Sequence, residues 1–248
     1  MTQLGLQLYS LKELCREDFF GTLNQVAAAG YEGVEFAGYF ETPSKQLKNE
    51  LNNVGLKAAG SHIGMDTLES TLDQAIQYSL EIENPYIICP GLPESYRDSA
   101  DAYKRTAEIL TAIGERCTAN GLAFGYHNHD VELQTFDGEH GLELLFKYSD
   151  PTHVFMELDT FWLEATGLSS VNWIEQYKER VRILHMKDMN NPRELRNVVV
   201  GSGTMDVEAI VTSGKKHGVE WYTVEQEQFD QDQMESVTKS ATYLKSIL

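Results

Sequence analysis

One unit recurs eight times along this 248-residue chain: a short β-rich run, a polar loop, an amphipathic stretch, then the next run. The runs are Leu4–Ser10, Gly33–Phe36, Leu56–Ser61, Tyr86–Cys89, Ala123–His127, Val154–Leu158, Ile183–Lys187 and Trp221–Glu225. Helical patterns such as Leu68–Leu80 and Ser99–Ala119 lie between them, and a last helix is expected over about Gln233–Ile247. Gly30, Gly55, Gly121 and Gly218 each close a helical segment just ahead of a run. Glycine takes the left-handed conformation at low cost, so these positions read as helix stops. Strands alternating with helices predict a parallel sheet. Eight units in 248 residues predict its closure into a single (β/α)8 TIM barrel over residues 1–248, with no linker or domain boundary. The rival open, doubly wound sheet would carry a GxGxxG turn or a P-loop after its first strand, where this chain has Tyr9-Ser10-Leu11-Lys12.

Neighbouring side chains on a strand point to opposite faces. In the first run Leu4, Leu6 and Leu8 oppose Gly5, Gln7 and Tyr9; in the fifth, Phe124 and Tyr126 oppose Ala123, Gly125, His127 and His129. In the sixth, Val154, Met156 and Leu158 oppose Phe155, Glu157 and Asp159; in the seventh, Leu184 and Met186 oppose Ile183, His185 and Lys187. In the eighth, Tyr222 and Val224 oppose Thr223 and Glu225, with Glu227 just beyond. One face is large and apolar; the other starts small and ends ionisable. An antiparallel sheet with one wet face would alternate similarly, but without helices between its strands. In a barrel the ionisable ends gather at the C-terminal mouth, where barrel enzymes keep their chemistry.

Several carboxylates and imidazoles in one mouth cannot sit unpaired without several kcal/mol of desolvation each. Acids outnumber bases among them, and a divalent cation offsets that charge most simply. Histidine and carboxylate donors suit Mn²⁺, Zn²⁺, Co²⁺ or Fe²⁺ better than Ca²⁺. One ligand from each of the last four strands makes the expected set His127, Asp159, His185 and Glu225.

The remaining composition narrows the partners. Twenty basic against 38 acidic residues leave a net charge of −18 with no basic stripe, which disfavours nucleic acid and anionic membrane. No window approaches a membrane span. Cys15, Cys89 and Cys117 form no disulfide framework, and Met1-Thr2-Gln3-Leu4-Gly5 has no basic leader. A cytoplasmic protein acting on a small molecule is expected, and self-association into a homo-oligomer is compatible with it.

Five segments resemble the sugar phosphate isomerase/epimerase superfamily of xylose-isomerase-like barrels: Tyr126-His127-Asn128-His129-Asp130, Glu157 to Trp162, His185-Met186-Lys187-Asp188, Val200 to Asp206, and Val224-Glu225-Gln226-Glu227. Gly60-Ser61-His62-Ile63-Gly64 after the third strand fits too. The resemblance spans nearly the whole chain. It implies a divalent metal held by strands five to eight, with Asp159, His185 and Glu225 at the Asp, His and Glu positions of the ketose 3-epimerases. Those enzymes carry a glutamate on strand five where this chain has His127, which takes away one of their two acid/base glutamates. They often carry histidine where Trp162 stands here.

The resemblance implies an enediolate mechanism on a keto-sugar or polyol-derived ketone: the metal polarises the carbonyl and a base removes the α-proton. Glu225 is the expected base, with Lys187, Glu157 or His129 returning the proton. His62 and His129 are expected to contact substrate, and Tyr9 and Trp162 to floor the sugar ring. Lys187 either serves the site or pairs with Glu157. Gly201-Ser202-Gly203 lies where barrels often hold phosphate, and reads alternatively as a plain loop turn. Isomerisation or epimerisation leads; elimination by a dehydratase or lyase, as in inosose-dehydratase-like relatives, is next. A non-catalytic sugar-binding barrel remains, whereas an endonuclease of the same fold would need a basic surface.

Overall fold

The computed structural model describes residues 2–248. Eight parallel strands close on themselves in chain order: β1 (Gln3–Gln7), β2 (Gly33–Phe36), β3 (Lys57–His62), β4 (Tyr86–Cys89), β5 (Ala123–His127), β6 (Val154–Asp159), β7 (Val181–Met186) and β8 (Trp221–Val224). Helices connect them, completing a TIM barrel. The four glycines expected to stop helices all have positive φ, at 91°, 75°, 80° and 77° in chain order. Helix starts are equally local: Asp18 accepts from the Gly21 amide ahead of Phe19–Ala28, and Ser99 from the Ala102 amide ahead of Ala100–Ala119. The segment expected as one helix over Leu68–Leu80 is two, Met65–Ser70 and Leu72–Glu81, divided at Thr71.

Period-two alternation sorts the strand residues into two separate apolar cores. Leu4, Leu6, Val34, Phe36, Phe124, Tyr126, Met156, Leu158, Leu184, Met186, Tyr222 and Val224 face outward and pack under the helices. Ala59, Tyr86, Ile88, Phe155, Ile183 and Trp221 pack together along the axis. The glycines on the axial face make room for the aromatic plug. A Cβ on Gly125 would lie 2.5 Å from the Phe155 ring, and one on Gly33 would lie 2.6 Å from the Trp221 indole. Burial of each such ring stabilises the fold by about 1.5–3 kcal/mol. The plug closes the lower barrel, so the polar ends of the axial faces can meet only above it.

The first strand is shorter than its sequence run. It ends at Gln7, and Leu8–Leu11 turns as a 3₁₀ helix, with the Tyr9 amide donating to the Gln7 side chain at 2.9 Å. Tyr9 therefore leaves the axial face and stands at the rim, 41% exposed. No helix among the described residues is long and apolar enough to cross a membrane.

Candidate metal centre and active site

Strand register decides the height at which each ionisable side chain enters the mouth. His127 pairs across with Glu157, Asp159 with His185, and His185 with Thr223. Glu225, two residues past Thr223, thus stands level with Lys187. Because the strands are staggered, His127, Asp159, His185 and Glu225 converge although they sit at different points of their strands. One donor atom from each lies within 4.8 Å of the others, and all four are buried.

A second group shares two of these residues: His62, His127, Glu157 and His185 also bring donor atoms within 4.8 Å. Glu157 Oε2 reaches all three of its histidines, at 2.7, 3.1 and 3.4 Å, and Glu35 on β2, a residue with no expected role, abuts two of them. Glu35 Oε2 accepts from Gln7 Nε2 at 2.7 Å and from His185 Nε2 at 2.7 Å, and pairs with His62 Nε2 at 3.2 Å. His62 Nε2 also lies 2.7 Å from Glu157 Oε2. His185 bridges the two groups, with its Nδ1 3.1 Å from Glu225 Oε2.

Lys187 does not pair with Glu157. Its Nζ lies 3.0 Å from Asp159 Oδ2, 2.7 Å from Glu225 Oε2 and 2.9 Å from Glu227 Oε1. Glu157 lies level with Ile183, four residues before Lys187 along the neighbouring strand, and therefore deeper in the barrel.

The charges follow from these contacts. Burial opposes ionisation of Glu35, but His62 and His185 pull its carboxyl well below the usual range. Burial and the neighbouring Glu35 push Glu157 up to about 8. Against the pull of burial, Glu35 and Glu157 raise His62 to about 10 and hold His185 well above an ordinary imidazole. Burial and then His185 keep His127 well below it. Burial works against the Lys187 ammonium, yet Asp159, Glu225 and Glu227 hold its pKa well above the usual lysine value. Despite burial, Lys187 and His185 keep Glu225 ionised well below the carboxylate range. The excess acid of the mouth is thus largely balanced by the chain's own cations.

The donor set also fits a divalent transition ion. Two imidazoles and two carboxylates are the ligands such ions prefer. His127 is held toward its neutral form, as a ligand must be, whereas His185 is held protonated by Glu35 and Glu157 and would give up a proton to bind an ion. His127 Nδ1 is buried with only Glu157 Oε2 near it, at 3.1 Å and without hydrogen-bond alignment, and Asp159 Oδ2 meets the Lys187 ammonium, at 3.0 Å. An ion there would take over carboxylates that Lys187 now pairs with.

Above this floor opens a cavity of about 360 Å³ lined by Tyr9, Ala37, His62, Pro90, His127, His129, Glu225 and Glu227. Trp162 lies beside it, its ring 6.0 Å from that of His129 and 5.6 Å from Lys187 Nζ, with its indole N–H unpartnered. Asn128 was missed as well: its Oδ1 accepts from the Asp159 amide at 2.9 Å and fixes the end of β6. Its place inside the Tyr126 to Asp130 segment was the only sequence signal. Glu35 had a clearer one, as the lone charge in a four-residue apolar strand, on the face of Gly33.

The donor cluster lies at the C-terminal mouth of a closed (β/α)8 barrel, the face on which barrel enzymes build their active sites. The profile of the xylose isomerase-like TIM barrel family matches residues 23–247, and the chain belongs to that family. It is 26% identical over 244 residues to an inosose dehydratase of Bacillus licheniformis, covering 83% of this chain and 80% of that protein. A sugar phosphate isomerase/epimerase of Parabacteroides distasonis superposes with a TM-score of 0.85 at 28% identity, over 98% of this chain and 94% of that one. The probable 3-DHS dehydratase of Bacillus anthracis shares the fold at a TM-score of 0.78 and 14% identity, over 98% of each chain.

Proposed function

We propose that this chain is a metal-dependent sugar isomerase or epimerase that removes an α-proton from a keto-sugar and passes through an enediolate. The carrying observation is the convergence of His127, Asp159, His185 and Glu225 beneath an open cavity, with the Lys187 ammonium buried beside them. When bound by those four residues, Mn²⁺, Zn²⁺, Co²⁺ or Fe²⁺ would supply a Lewis acid for the substrate carbonyl.

The chain's own groups account for the proton and the charge. Glu225 borders the cavity beside Lys187, and its carboxylate takes the α-proton. Lys187 is held cationic among fixed partners, so it stabilises the developing oxyanion without reorganising. His129 and His62 face the cavity and orient the hydroxyls, and Tyr9 and Trp162 flank the ring. Glu157, the one carboxyl pushed up toward neutrality, exchanges protons through His62.

Elimination at the same site is the second reading. It is favoured by His127 in place of a second acid/base glutamate, and by the likeness to inosose dehydratase. Proton NMR in D₂O with Zn²⁺-loaded protein and a panel of ketoses, inososes and 3-keto-glycosides tests both. Loss of the α-proton signal is expected, abolished in Glu225→Gln; a new vinyl resonance marks elimination. No exchange with any member, or unchanged exchange in Glu225→Gln, refutes the assignment.

A further inference from the structure

Barrels that grip a phosphate ester commonly do so with backbone amides of the loops after their last two strands. Here each such amide of residues 201–205 and 225–227 already has an acceptor. After β7, Gly201 N and Gly203 N both donate to Asp188 Oδ2 at 2.9 Å, and Met205 N donates to Oδ1 of the same carboxylate at 3.1 Å. Ser202 N donates to the Val199 carbonyl and Thr204 N to the Met189 carbonyl, both at 2.9 Å. After β8, Glu225 N donates to the Met186 carbonyl at 3.2 Å, Gln226 N to Ser10 Oγ at 3.0 Å, and Glu227 N to Asn197 Oδ1 at 3.1 Å.

Asp188 is 1% exposed, so an internal carboxylate fills the amide nest that an external anion would use. A Cβ on Gly203 would lie 2.3 Å from Asp188 Oδ1, so glycine is what lets the loop wrap this closely. The side chains repeat the pattern. Glu225 and Glu227 line the cavity, and among the described residues no lysine or arginine does. Lys187, the nearest fixed cation, is buried below that lining and shares its single charge among three carboxylates. A phosphate dianion would meet like charge and spent donors.

We infer that this site takes neutral, unphosphorylated sugars or polyol-derived ketones and rejects their phosphate esters, with Asp188 occupying the phosphate position. The inference rests on the keto-sugar reading above and names its substrate class. Neutral hydroxyl-rich rings suit what the mouth offers: imidazoles, carboxylate acceptors and aromatic edges.

Matched pairs test it on the full chain loaded with Zn²⁺: D-fructose with D-fructose 6-phosphate, D-ribulose with D-ribulose 5-phosphate, and inorganic phosphate alone. Ligand-detected proton and phosphorus NMR titrations report binding whether or not turnover occurs. The neutral member of at least one pair is expected to bind saturably, its ester at least about tenfold more weakly, and inorganic phosphate without saturation. An ester that binds as tightly as its neutral partner overturns the inference, as does a panel in which no neutral member binds. Neutral binding without deuterium exchange leaves the inference standing and removes the enediolate chemistry instead.

Discussion

Glu35 on β2 accepts a hydrogen bond from His185 on β7, with 2.7 Å between Oε2 and Nε2, across the barrel axis. The contact orients the imidazole and leaves its Nδ1 facing Glu225, on the side of the proposed ion. A carboxylate behind a ligating histidine fixes its tautomer and raises its basicity. Glu35→Gln keeps the shape and removes the charge. Calorimetric titration with Zn²⁺ should show affinity falling by about 10- to 100-fold. Unchanged affinity would mean that the pair serves only the apo fold.

Lys187 is the hub of a second network, and its removal should cost stability. Lys187→Met strands Asp159, Glu225 and Glu227 around a buried position. Loss of one partner from a buried ion pair costs about 3–5 kcal/mol. The exposed side of Glu227 places this case at the lower end. Urea unfolding of the metal-free protein measures the loss. Added Mn²⁺ should then raise Tm more in the variant than in the parent, because the ion replaces the missing cation. An equal gain in both would separate the lysine from the ion's position.

The axial plug predicts a cost with no charge involved. Gly125→Ala drives a methyl into the Phe155 ring, 2.5 Å away, within a closed strand layer. Overpacking of this kind destabilises by about 1–3 kcal/mol. A urea midpoint unchanged within error would show that the ring can move aside.

Alkaline pH should act on the buried thiols. Burial pushes Cys15, Cys89 and Cys117 up to about 12, from an ordinary value of 9.0. These raised values add stability that is fully present below the unfolded pKa and is lost as pH rises toward the folded one. Urea midpoints should therefore decline above about pH 9, and a thiol reagent at about pH 8 should label native protein far more slowly than unfolded protein. Rapid labelling of all three thiols in the native state would contradict the burial.

The two periodicities of this chain were legible because each is enforced residue by residue. Glycine-stopped helices alternating with strands leave few arrangements other than the barrel, and period-two alternation put His127, Asp159, His185 and Glu225 on one face before any fold was known. Glu35 shares its face with Gly33 alone, so its strand marks it as axial without showing which side chains across the barrel it meets. Tyr9 was carried too far along its strand because a 3₁₀ turn begins without a breaker residue at Leu8. Of the two readings of Lys187, a pairing with Glu157 fails although both share a face, because the stagger between β6 and β7 sets them four residues apart in height. By itself, then, the sequence determined which side chains point to the axis, since that depends on local backbone geometry alone. Which of them touch, and which loop amides remain free, was decided only by tertiary structure, because strand register and loop closure arise from contacts between segments far apart in the chain.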